Sequence, residues 1–99
     1  MSKQSAEEAH ARYVETLLHK REGHEHLRAR RRADVVTIES GPKDDPTPHA
    51  RLRRDTVHLW LLEMATHRGK WERTPVRASL EDVVATLMDD FGWTLTPVD

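Results

Sequence analysis

The sequence contains no cysteine, which excludes disulfide cross-links, thiolate nucleophiles and cysteine-ligated zinc. Only 5% of the residues are aromatic, so the chain has no ladder of rings on which single-stranded bases could stack. It also lacks any apolar run of the roughly 18 residues that a membrane helix needs, and any charged-then-apolar leader. The expectation is a soluble cytoplasmic protein with no membrane partner. Gly-rich phosphate loops, His-Glu-x-x-His and Gly-x-Ser-x-Gly are missing as well, so neither an enzyme nor a cofactor site is expected.

What is present is a chain of 99 residues, 36% hydrophobic and 33% charged, the size of one domain with an economical core. Its net charge is −1, but the charges are unevenly spread. Residues 1–78 carry all 16 Lys and Arg against 12 acids, and residues 79–99 carry 5 acids and no base. That asymmetry suggests an interaction surface, or pairing between the two ends.

Ser5 and Glu8 have the spacing of a capping box. Ala6, Ala9, Tyr13, Val14, Leu17 and Leu18 then recur at helical spacing. Gly23 is a natural stop, after which the pattern allows a helix to resume through Arg32. Val35–Glu39 is β-branched and short, a strand. Gly41 to Pro48 contains three prolines and Asp44-Asp45, a loop. Ala50–Arg54 reads as an edge strand. Val57–Thr66 is apolar on both faces and therefore reads as a central strand covered twice.

His67-Arg68-Gly69 resembles a three-residue hairpin loop with glycine in the left-handed position. The register that follows sets Trp71 beside Ala65 and Arg73 beside Glu63. Pro75 cannot donate to a ladder, so Lys70–Val76 belongs at an edge or ends there. Ser79 and Asp82 open a second helix, in which Leu80, Val83, Val84, Leu87, Met88 and Phe91 form one apolar stripe. Gly92 closes it, and residues 93–96 are a candidate last strand. The expected fold is α+β, with an N-terminal helix, an antiparallel meander of three to four strands and a C-terminal amphipathic helix on the sheet. The helix with its basic, His-rich end occupies residues 1–32, and the compact α+β part residues 33–99, within a single domain overall.

Residues 19–32 concentrate three histidines and six basic side chains. His24 and His26 would point about 200° apart on a helix and could not share an ion there. Zinc wants three or four ligands, and His49, His58 and His67 each stand alone, so no metal site is expected. Arg28, Arg30, Arg31 and Arg32 are dense enough for phosphate contacts. They equally suit a helix C-terminus, whose negative dipole end attracts cations. Asp89 and Asp90 do the opposite: acids in a last turn oppose the dipole, which calls for a compensating arginine.

The favoured expectation is a small non-enzymatic binding or regulatory protein acting through protein contacts. A nucleic-acid binder using Arg28, Arg30, Arg31 and Arg32 is the alternative. If the first helix packs on a neighbouring copy, the protein is a homodimer in which Tyr13, Val14, Leu17 and Leu18 meet the partner, with Trp71 near the rim.

Overall fold

The computed structural model describes residues 5–66 and 70–95, with the side chains of Trp93 and Thr94 outside the description. The order is α1 (Glu8–His19), β1 (Arg28–Arg32), β2 (Val35–Ser40), β3 (Thr47–Arg54), β4 (Trp60–Ala65), β5 (Trp71–Ala78), α2 (Leu80–Asp90) and a 3-10 turn, Gly92–Leu95. The strands form an antiparallel meander in the order β1-β2-β3-β4-β5. The architecture is the expected α+β one, with five strands rather than three or four.

The added strand is β1, where a resumed helix had been expected. Period-2 alternation explains it: Leu27 and Ala29 turn toward the core, while Arg28, Arg30 and Arg32 turn away. Arg28 to Arg32 pair with Glu39 to Val35 through a two-residue turn. Ala33 sits in this turn at φ 53, a conformation that normally favours glycine. Its carbonyl accepts the Ala6 N–H at 2.9 Å, which ties the chain entering α1 to the turn. The boundary expected at residue 32 thus falls inside a hairpin.

β3 is the middle strand of the sheet, not an edge. Its partner β4 is shorter than the Val57–Thr66 expected, because Val57 lies in an exposed turn before it. The β4–β5 register is the one read from the sequence, Ala65 with Trp71 and Glu63 with Arg73. β5 pairs with β4 alone and so lies at an edge, with Pro75 in it. The hairpin loop His67–Gly69 lies outside the described residues. Residues 92–95 form a 3-10 turn, not a last strand.

Both helices cover the same face of the sheet. α1 lies along β1 and beside α2, and α2 lies over β4 and β5. One core joins Val14 and Leu18 of α1, Val36 and Ile38 of β2, Leu52 of β3, Leu62 of β4, and Val83, Val84 and Leu87 of α2, all fully buried. The start of each helix is fixed locally. The His10 Nδ1 atom accepts the Glu7 N–H at 2.9 Å, and Ser79 Oγ accepts the Asp82 N–H at 3.3 Å. His10 stands in for the acceptor that Glu8 was expected to supply one helical start earlier.

This arrangement corrects the expected dimer contact. Val14 and Leu18 have no surface left for a partner, because their own chain buries them completely. Leu17 packs against the same core, partly buried. Tyr13 alone of the four is exposed, and its hydroxyl donates to Glu81 Oε2 at 3.4 Å within the chain. No helix among the described residues is long and apolar enough to cross a membrane.

Candidate interaction face

Both helices lie on one side, and among the described residues no layer covers the opposite face of the sheet. Strand alternation decides what it carries: Arg28, Arg30 and Arg32 from β1, Thr37 and Glu39 from β2, Arg51 and Arg53 from β3, Leu61 and Glu63 from β4, and Trp71, Arg73 and Arg77 from β5. The pairing brings each acid under several arginines. Glu63 lies opposite both Arg51 and Arg73. Arg51 Nε donates to Glu63 Oε1 at 2.6 Å, Arg53 Nε lies 3.4 Å from the same oxygen, and Arg73 Nε lies 3.9 Å from Oε2. Arg53 also forks onto Asp34, at 3.2 and 3.0 Å from its two oxygens.

Glu39 is the second centre. Arg28 donates to it through Nε and Nη2 at 3.2 and 3.0 Å, and Arg30 Nε lies 3.9 Å away. The remaining Arg28 nitrogen, Nη1, donates to the Gly41 carbonyl at 2.6 Å. The two carboxylates are the buried members of this lattice, with side chains 4% and 6% exposed. The guanidiniums lie above them, so what solvent meets is arginine. Arg73 is 74% exposed, and Arg77, 2.6 Å from Asp55, is 49% exposed. Arg51 also stacks over the Trp71 ring at 4.5 Å, a contact worth about 0.5–1 kcal/mol at a partly open site.

The four arginines of the basic run do not act together. Arg28 and Arg30 serve Glu39 on the open face. Arg31 turns to the helix side, where it lies 3.6 Å from Glu8 and donates to the Ala6 carbonyl. Arg32 is exposed and has no ion-pair partner among the described residues. Sequence reasoning singled out Trp71 but missed Arg51, Arg53, Arg73 and Arg77 as one group. The alternation of arginine with small residues in β3 carried the signal, once β3 is placed mid-sheet.

Both edges of the sheet are blunted. The Ala29 N–H on β1 donates to the Glu15 carboxylate at 3.0 Å, and arginines line that strand. β5 carries Pro75. Edges treated this way resist adding another strand.

His19, His26 and His49 bond within the chain. His19 Nε2 donates to the Leu27 carbonyl at 2.6 Å and His26 Nε2 to the Leu95 carbonyl at 2.8 Å, which pins the 20–27 segment between α1 and the 3-10 turn. His49 Nε2 and Ser40 Oγ share a 2.7 Å hydrogen bond, and both residues are buried. His24 is held below its usual pKa by partial burial, with His26 and Arg21 adding repulsion. Arg21 meets Asp89 at 2.6 Å, the compensation expected for the acidic end of α2.

No family model matches the chain, and no curated protein or solved structure is significantly similar to it.

Proposed function

We propose that the chain is a small non-enzymatic binding protein whose open sheet face docks an acidic surface of a protein partner. One observation carries this reading: Glu63 lies buried beneath Arg51, Arg53 and Arg73 and holds them in fixed positions beside Trp71 and Leu61, while buried Glu39 holds Arg28 and Arg30 farther along the same face. Arginine and tryptophan are the residues that most often anchor protein interfaces. Guanidiniums already oriented lose less freedom on meeting a carboxylate, and their planar fork suits it.

A nucleic acid fits less well. The carboxylates beneath offset much of the charge that phosphates would exploit, and Trp71, the ring on this face, already has Arg51 stacked on it. The test is fluorescence anisotropy with a labelled helical peptide bearing paired aspartates. Binding to wild type, lost in Trp71→Ala and in Arg73→Glu/Arg77→Glu, is the expected result. Tighter binding of an oligonucleotide at physiological salt, insensitive to Trp71→Ala, overturns it.

A further inference from the structure

We infer that a second copy of this chain occupies the open face, seating the acidic side of its α2 on Arg73 and Arg77; this rests on the docking role just assigned to that face.

The exposed side of α2 carries Glu81 and Asp82 at one end and Asp89 and Asp90 at the other, with no basic residue in the helix. The internal bonds described above occupy two of the four, Glu81 through the Tyr13 hydroxyl and Asp89 through Arg21. Asp90 has no ion-pair partner among the described residues, although it stands in the last turn, where the helix dipole disfavours an acid. A cation from outside the chain would relieve that.

Arg73 and Arg77 are four residues apart on β5, but they lie opposite Glu63 and Leu61, only two residues apart on β4, so a bulge draws them to about 7 Å of each other along the strand. That spacing suits the single acidic turn Asp89-Asp90 at the end of α2, and the charges are opposite. Within one chain they cannot meet, because α2 packs its buried face onto β4 and β5 and the sheet lies between it and the arginines. The charge asymmetry of the sequence is therefore answered between molecules. Trp71 and Leu61 beside the arginines give the contact an apolar floor.

Face-to-face pairing of two open faces would instead oppose arginine to arginine. A helix-on-face contact joins two different surfaces, so each added copy leaves one of each free, and assembly closes only as a ring or continues as a chain.

Sedimentation at low ionic strength should show self-association of the wild type that grows with concentration and reverses with salt. Arg73→Glu/Arg77→Glu and Asp89→Asn/Asp90→Asn should each be monomeric alone. The Asn pair cannot harm the helix through its dipole, since it removes unfavourable charge. Mixed, the two variants should form a one-to-one complex, because one retains an intact face and the other an intact helix. A wild type that stays monomeric up to millimolar concentration, or variants that fail to complement, overturns this inference. In that event peptide binding by the face still separates the cases: retained, only the self-partner is wrong; absent, the docking reading falls too.

Discussion

On the helix side of the sheet, Val36, Ile38, Leu52 and Leu62 are sealed by apolar side chains from α1 and α2. One residue along the same strands, Thr37, Glu39, Arg51 and Glu63 face the other way, and there arginine stems and ion pairs provide the cover. The same backbone thus supports two surfaces made by different physics. Apolar burial is non-directional and contributes roughly 25 cal/mol per Å² removed from water. Ion pairs with one partner partly solvated contribute little net stability, but they fix where each guanidinium points. One face holds the fold together, and the other holds a pattern of charge in place.

If that division is right, the largest effect belongs to the helix side. Leu87 is fully buried in the shared core, and Leu87→Asp places a carboxylate where no partner waits. The cost should exceed about 4 kcal/mol, enough to unfold most small domains. Circular dichroism and urea titration measure it directly. A folded, cooperative Leu87→Asp protein would mean that α2 is not part of the core.

A middle-sized effect belongs to the lattice. Glu63→Ala removes the acceptor shared by Arg51, Arg53 and Arg73. Arg53 keeps Asp34, and all three arginines reach some water, so the loss should be about 1.5–3 kcal/mol rather than the full toll of a buried unpaired charge. The double variant Arg51→Leu/Glu63→Leu should recover part of that loss, because it removes both charges together. Equal destabilisation in the single and the double variant would show that the pair is not coupled, and that the open face is ordered by something other than its ion pairs.

Legibility followed the same division. The stripe of α2 and the Ala65–Trp71 register were readable because apolar periodicity and turn spacing are local signals. β1 was not, because Arg-Ala-Arg-Arg-Arg has little β-propensity, and its turn has Ala33 where glycine or asparagine would have announced a hairpin. Its strand identity comes from pairing with Val36 and Ile38, which no local window contains. The lattice was half legible. Arg73 beside Glu63 followed from the hairpin register, but Arg51 and Arg53 joined them only once β3 proved central. The helix–partner contact failed for a related reason: an amphipathic helix shows that one side is covered, not by what, and here its own chain covers Val14 and Leu18.

The smallest effect sits where the helix layer meets water. His10 Nδ1 must be unprotonated to accept the Glu7 N–H, and the pKa of His10 is lowered, first by partial burial and then by the nearby Arg54 charge. The unfolded chain, near 6.5, therefore binds this proton more readily than the folded one. Stability from the neutral ring is fully present above that value and is lost as pH falls through the folded pKa. His24 shifts in the same direction, so wild-type stability should decline with acid in this window. His10→Gln keeps an acceptor at the same helix position, as in a capping box, but has nothing to titrate. Urea midpoints taken between about pH 7.5 and about pH 5 should fall less steeply in this variant. An unchanged slope would show that His10 has the same proton affinity folded and unfolded, and that the start of α1 is open to water rather than held by the layer it belongs to.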